Sequence, residues 1–322
     1  MNAWAELTER VALRRREQIG TLSEAGYQEL LAAVRADVTS FVETPQEQAL
    51  LLVAQAIDRH EAACEGEDLL DDDAFYASRT QRMGRLARDC EAALALDPDC
   101  LDASLLAIEA QDEDPDIMLG PLYDLERRAD ERLAVAGPSD DLWDELALRP
   151  VLRVKDAIAR TCLDSAHYGL AARKGQEAIQ LSPTDALGTR HTCALAYARL
   201  EDEAAFEELD VRFSRQGDAW SHLARTILLY KLGRMPAARR ALGGYVRLCE
   251  GGAYALLRPI LVDVYLPDRP IAPPLSFLEA TLAVHEADPI ICDVPDFVMW
   301  AQGQRDVFFS AKAFAEKNDY DR

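Results

Sequence analysis

Apolar residues recur at helical spacing in almost every segment of this 322-residue chain. One clear example follows Ser23, where a single stripe carries Tyr27, Leu30, Leu31, Val34 and Val38. Residues three and four positions apart lie on one face of an α-helix, so this pattern predicts an amphipathic helix. No segment alternates apolar and polar residues over the length of a strand. We therefore expect an all-α fold with essentially no sheet.

Helix start signals support this prediction. Thr44 precedes Pro45 and lies three residues before Glu47, which is the spacing of a capping box. Ser23 followed by Glu24 predicts another helix start. The chain has only 16 Gly and 15 Pro, which are fewer turn residues than a sheet-rich fold of this length would need.

Two breaks divide the chain into three predicted regions. The acidic residues 65–73 predict a loop that ends an N-terminal helical region, residues 1–73. Gly251 and Gly252 interrupt the pattern again and separate residues 74–250 from residues 251–322. Within the last region, residues 289–295 begin and end with Pro, and we expect a loop there.

A helix-hairpin repeat is visible in residues 151–185. Small residues stand where the two helices of a hairpin would touch, an aromatic residue stands beside the turn, and a Pro ends the second helix. These residues are Ala159, Tyr168, Ala171, Ala178 and Pro183. Related features recur later, with Trp220, Leu223 and Ala224 at a helix start. Asp99 and Asp185 each follow an Ala-to-Pro spacing of five residues and are candidates to cap the next helix.

From residue 75 to residue 249 the chain resembles the tetratricopeptide repeat family. Residues 151–185 match the repeat best, although Phe206 in the next repeat stands where the family has a small residue. The resemblance implies a right-handed solenoid of stacked helix hairpins, with residues 251–322 as a helical cap over its last apolar face. More narrowly, the segment from Arg149 to Arg190 is similar to bacterial repeat proteins related to the suppressor of tumorigenicity 7 family.

The resemblance also implies a binding groove, which the first helix of each hairpin lines in tetratricopeptide repeat proteins. It assigns to this groove Arg153, Asp156, Arg160, Leu163, Asp164, His191 and Arg225. A guanidinium binds a carboxylate through two parallel hydrogen bonds, so such a groove favours an acidic peptide or a carboxylate terminus. The alternative is that these arginines pair with neighbouring acids of the chain itself.

The charge balance excludes two classes of partner. Asp and Glu number 57 against 35 Lys and Arg, which gives a formal net charge of −22. Such a surface repels the phosphates of nucleic acids and of anionic membranes, and we expect neither as a partner. We expect no membrane-spanning helix and no leader sequence. The seven Cys are scattered without a C-x-x-C pair, which is typical of a protein of the reducing cytoplasm.

Two short motifs weakly resemble metal sites. His60, Glu61 and Cys64 have part of the spacing of a zinc-protease helix, but the second His is missing, and we interpret them as a solvated helix end. Asp112, Asp114 and Asp116 alternate as in a calcium loop. The Gly and Glu that such a loop requires are absent, so we expect a solvated turn whose acids cap a helix. We therefore predict neither a metal nor a cofactor.

No motif predicts catalysis. The five His lie outside any Ser or Cys nucleophile motif, and no Gly-rich phosphate-binding loop is present in the sequence. The predicted function is therefore a non-catalytic adaptor or scaffold that binds another protein or peptide in its groove. The alternative is a regulatory domain that changes its superhelical pitch when it binds a small molecule or peptide. The sequence leaves the oligomeric state open.

Overall fold

The structure is a computed structural model that describes residues 2–67, 70–260, 262–294 and 296–320. The described residues form sixteen α-helices and no strand, so the all-α prediction is confirmed. Residues that contact one another group into two compact units. The N-terminal unit comprises Met1–Val154 and Tyr265–Arg269, and the C-terminal unit comprises Lys155–Val264 and Pro270–Arg322. The sequence boundaries at residues 73 and 250 remain predictions.

The N-terminal unit is built from helices that pack against their neighbours in the chain. They are α1 (Ala3–Ile19), α2 (Glu24–Ala36), α3 (Pro45–Cys64), α4 (Asp72–Leu96), α5 (Leu101–Glu109), α6 (Pro115–Val135) and the start of α7 (Arg149–Asp164). Helix α3 packs on α1 and α4, and α5 packs on α4 and α6. Their buried faces form one core that includes Leu7, Val53 and Leu106.

Several local predictions for this unit are confirmed. The Thr44 hydroxyl accepts the Glu47 N–H at 3.2 Å, and the Glu47 carboxylate accepts the Thr44 N–H at 3.2 Å, which completes the capping box of α3. Ser23 caps α2. Asp114 caps α6 by accepting the Asp116 N–H at 3.0 Å. These signals are readable because each cap lies within a few residues of the group it satisfies.

The C-terminal unit contains the helix hairpins. Its helices after α7 are α8 (Tyr168–Leu181), α9 (Thr189–Leu200), α10 (Glu203–Arg212), α11 (Ala219–Lys231), α12 (Met235–Leu248), α13 (Gly252–Leu257), α14 (Phe277–Cys292), α15 (Asp296–Gln302) and α16 (Arg305–Asn318). Helix α9 packs on α8, α10 and α11, and α11 packs on α12. Successive helices therefore pack against one another, as the all-α hairpin prediction requires.

Two local predictions are wrong. Residues 289–292 are not a loop, because α14 continues through Pro289 to Cys292. Burial of Ile290 keeps this last turn packed although Pro289 cannot donate a backbone hydrogen bond. Pro295 lies outside the described residues. Asp99 does not cap α5, which begins at Leu101 after the N-cap residue Cys100 and has no side-chain cap. Asp185 does accept the Arg190 N–H, at 3.3 Å, in the first turn of α9.

Close packing of α8 on α9 depends on Gly175. A Cβ atom added at Gly175 would overlap Sγ of Cys193 on α9, and it would lie 3.4 Å from Cγ2 of Thr189. Cys193 is fully buried. The hairpin therefore fits together only because this position has no side chain.

Gly175→Ala is expected to lower the free energy of unfolding by about 1–3 kcal/mol, because it overpacks a buried contact. Adding Cys193→Ala removes the overlapping sulfur and should recover part of this loss, although Cys193→Ala alone is destabilising. Urea unfolding of the two single variants and the double variant measures the coupling. Additive losses would show that the α8–α9 contact does not depend on this pair.

Candidate functional site

Arg153, the first predicted groove residue, is buried in an ion cluster of the N-terminal unit. Its Nε donates to Asp268 at 2.8 Å, Nη2 donates to Glu6 at 2.6 Å, and Nη1 lies 3.2 Å from both carboxylate oxygens of Asp102. Only 3% of Arg153 is exposed. All three guanidinium nitrogens are therefore directed at carboxylates of the chain itself.

The cluster carries more acids than bases, and the pKa values follow from this. Burial raises the pKa of Glu6, but the charges and hydrogen bonds of Arg153 and Arg10 together bring that pKa below its ordinary value. Burial also raises the pKa of Asp102, and Arg153 offsets this effect only in part, so its pKa stays above the ordinary value. The guanidinium of Arg153 thus neutralises part of the charge of three carboxylates, Glu6, Asp102 and Asp268. This is a structural role.

The predicted groove residues on the second half of α7 are also engaged within the chain. Asp156 is 1% exposed and accepts hydrogen bonds from Thr189 Oγ1 at 2.6 Å and from Arg160 Nε at 3.0 Å. Leu163 belongs to the buried core, whereas Asp164 is exposed at the end of the helix. Of these four residues, Asp164 is the one with an open surface.

His191 lies at the start of α9 and is stacked on Trp220 of α11. The two rings are 4.3 Å apart between centroids with an interplanar angle of 20°. His191 Nδ1 lies 3.7 Å from Asp218, which also accepts from Arg190 at 3.3 Å. The histidine is buried, and its ring joins the neighbouring helices α9 and α11.

Arg225 of α11 forms two ion pairs with α10. Its guanidinium donates to Glu207 at 2.7 Å and to Asp210 at 2.8 Å, and it lies 5.1 Å above the ring of Phe206. Phe206 departs from the repeat pattern, and the structure shows that its ring supports this arginine. Pairing with the chain's own acids, which was the alternative to a ligand-binding role, is what the structure shows for Arg153, Arg160 and Arg225.

Helices α9 and α11 are covered in part by α14. This helix packs on both of them. Glu279 of α14 accepts the Ala219 N–H at the start of α11 at 3.1 Å. At the other end, Tyr168 donates to Asp293 at 2.9 Å. Residues 191–198 of α9 are consequently buried without interruption. A helix from outside the repeats therefore covers part of α9 and α11.

His60 differs from its interpretation as part of a solvated helix end. It is 4% exposed, and its Nε2 lies 2.6 Å from Nη1 of Arg82. Arg82 is also buried and pairs with Glu67 at 2.9 Å. The interpretation was wrong for His60 because its helical face turns toward α4. The sequence spacing alone did not show this.

A cleft between α13 and α16 is open to the surface of the C-terminal unit, and we name it the C-terminal cleft. Its volume is about 260 Å³. Its floor is apolar and is formed by Tyr254, Leu257, Phe308, Ala311 and Ala315. Its rim is polar and is formed by Arg258, Gln302 and Lys312. None of these lining residues is acidic.

The sequence of α16 explains the shape of the cleft. Phe308, Ala311, Lys312 and Ala315 follow one another at intervals of three, one and three residues and therefore lie on one helical face. Small Ala side chains beside a Phe leave a depression along the helix. Beneath it, the rings of Phe277 and Phe314 lie 4.7 Å apart and support Tyr254.

Large apolar side chains of α15 and α16 are exposed, and one of them, Phe308, lines the cleft. The exposed fraction is 45% for Phe308, 56% for Phe309 and 72% for Met299. Sequence reasoning missed this surface because it interpreted residues 251–322 as a cap. The available signal was the concentration of aromatic residues between Phe297 and Phe314, which is higher than a helix with one buried face requires.

Together, the fold and these contacts define the chain as an all-α protein of packed helix hairpins. No family model matches the chain, and comparisons with curated proteins and with solved structures also found no match. Among the described residues, no helix combines the length and the apolar character needed to cross a membrane.

Proposed function

We propose that this chain is a non-catalytic adaptor of the tetratricopeptide-like class that binds another protein or a peptide. The observation that carries the proposal is the C-terminal cleft, an open apolar surface on an otherwise strongly acidic chain. Exposed apolar surface of this kind, rimmed by polar residues, is typical of sites that bind protein partners.

Burial of aromatic anchors supplies the free energy of such an interaction. Fully covering a Phe side chain contributes about 1.5–3 kcal/mol relative to leaving it in water. Phe308 and Phe309 are adjacent and half exposed. A partner that covers both residues gains a central anchor of the type that dominates protein interfaces.

The cytoplasm is the proposed location. The seven Cys do not form disulfides in the structure. Burial raises the pKa of the Cys90 thiol to about 12 and that of Cys100 to about 11, so both behave as small apolar residues. Cysteines that serve as packing residues suit a reducing compartment.

Capture from native cytosol tests the adaptor function. The full chain is expected to retain one stoichiometric protein partner, and Phe308→Asp should reduce its recovery at least about tenfold, because a charge replaces the anchor. Tyr76→Asp is the matched control, since Tyr76 is 66% exposed and belongs to the N-terminal unit. Equal recovery by both variants, or no stoichiometric partner at all, would contradict the proposal.

A crevice between α9, α10 and α11 favours the second candidate function, a small-molecule sensor. It is lined by His191, Phe206, Phe213 and Arg190, and its cavity volume of about 20 Å³ holds about one water molecule. Its aromatic rings and guanidinium suit the edge of a small planar anion, and the helices must move apart to admit more of it. An extract of cell metabolites freed of macromolecules should then raise the thermal midpoint by mass action.

A further inference from the structure

We infer that the C-terminal cleft binds an amphipathic helix of a partner protein whose apolar face is flanked by carboxylates. This inference rests on the proposed adaptor function and names the chemistry of the partner. It concerns the cleft between α13 and α16 and is independent of the predicted groove residues, which are engaged within the chain.

The shape of the cleft fits a helix. On α16, Phe308 and Ala315 are one heptad apart, and Ala311 lies between them. Two small residues behind a large one form a groove parallel to the helix axis, and the ridges of a second helix pack into such grooves. Apolar residues of the partner at intervals of three and four would also contact Tyr254 and Leu257, which α13 contributes to the floor of the cleft.

The cations at the rim of the cleft indicate which side chains flank the apolar face of the partner helix. Among the described residues, no carboxylate lies within ion-pair distance of Arg258, and its guanidinium donates to the backbone oxygen of Leu257 at 3.2 Å. Lys312 has Glu316 at 3.7 Å, in an exposed pair. Exposed pairs of this kind are weak, so Lys312 remains available to a stronger acceptor.

A carboxylate-bearing helix satisfies these cations, whereas a lysine-rich helix would add like charge beside them. The net charge of −22 does not reverse this preference. At physiological ionic strength, charges farther away than about 8 Å are largely screened, so the adjacent cations dominate. Arg258 in addition offers a planar fork that matches a carboxylate.

The probe is a synthetic amphipathic helix of about five turns, with Leu on one face, Glu on both flanks and Ala elsewhere. A second peptide carries Lys in place of Glu. Fluorescence anisotropy with the full chain measures both affinities at physiological and at high salt. At physiological salt we expect the Glu peptide to bind at least about tenfold more tightly than the Lys peptide, with a preference that weakens at high salt.

Charge reversal gives the sharper test. The double variant Arg258→Glu with Lys312→Glu should prefer the Lys peptide, and its fold should be intact because both side chains are exposed. Lys317→Glu is the matched control, since Lys317 lies on the same helix outside the cleft and is 70% exposed. It should leave the preference for the Glu peptide unchanged.

Each outcome decides a different point. Equal binding of both peptides, or an unchanged preference in the double variant, overturns the carboxylate chemistry and leaves the adaptor function standing. Binding to vesicles that contain anionic lipid, without binding to either peptide, overturns the inference in favour of a membrane surface. Binding to neither probe overturns helix docking at this cleft, and the capture experiment with Phe308→Asp then judges the adaptor function separately.

Discussion

Replacing Arg153 with Met is expected to lower the free energy of unfolding by about 3–5 kcal/mol, because removing one member of a buried ion cluster leaves the others uncompensated. The variant keeps Glu6, Asp102 and Asp268 together without the guanidinium that joins them. Arg10 still pairs with Glu6 at 2.5 Å, but it leaves the other two acids without this partner. Urea unfolding at neutral pH measures the loss.

The pH dependence of this variant has a definite sign. Without Arg153, carboxylates held close together in a buried site have raised pKa values and bind protons more readily in the folded state. A folded state that binds more protons than the unfolded state gains stability as the pH falls. In the native chain, the pKa of Glu6 is lower than in the unfolded chain. Glu6 therefore stabilises the fold at pH values above its unfolded pKa, and this stabilisation is lost as the pH falls through its folded pKa. The deficit of the variant should therefore shrink toward acid pH.

Arg127→Met is the control for this prediction. Arg127 pairs with Asp124 at 2.7 Å, but 71% of its side chain is exposed. Its loss should change the free energy of unfolding by less than about 1 kcal/mol. Similar stability of the Arg153 and Arg127 variants would show that the cluster does not hold the N-terminal unit together. The same reasoning excludes Arg153→Glu as a test of peptide binding, since it adds a fourth buried carboxylate.

Gly251→Ala is expected to lower the free energy of unfolding by about 2–4 kcal/mol, which combines a left-handed backbone with overpacking. Gly251 has φ +65, and an added Cβ would lie 2.5 Å from Phe277 and 2.7 Å from Phe314. Both rings belong to the aromatic cluster below the C-terminal cleft. The substitution should thus also weaken binding of the acidic peptide.

Two controls separate the two contributions. Gly233 has φ +69, and no atom lies within 4 Å of an added Cβ. Gly233→Ala therefore measures only the cost of placing an Ala in a left-handed backbone conformation. Gly244 lies within α12 and also has open space, so Gly244→Ala should stabilise by about 0.5–1 kcal/mol. A loss in Gly251→Ala no larger than that in Gly233→Ala would refute close packing against the rings.

The parts of the fold that depend on neighbouring residues could be predicted from the sequence. The cap at Thr44 and the helical stripe of α2 each depend on residues within a few positions. Such signals are local, and the helix propensity of the chain agrees with them. The wrong loop at residues 289–292 arose because burial of Ile290 outweighs the missing hydrogen bond of Pro289.

The environment of the predicted site residues could not be predicted. Arg153 pairs with Asp102, Asp268 and Glu6, which are 51, 115 and 147 residues away in the chain. No spacing rule connects residues so far apart. The groove positions followed from the resemblance to a repeat family, which assigns residues to faces of helices. This resemblance contains no information about α14, which lies outside the repeats. Binding by these residues remains a prediction.

The position of α14 has a consequence for synthesis of the chain. Tyr168 and Pro289 are joined by a hydrogen bond across 121 residues. At roughly 5–20 residues per second, the ribosome takes on the order of ten seconds to make the intervening chain. Helices α9 and α11 are made within this interval, and both are complete before the helix that covers them is synthesised. The nascent protein therefore exposes apolar surface that molecular chaperones recognise, and its folding is completed only after residues 277–292 emerge.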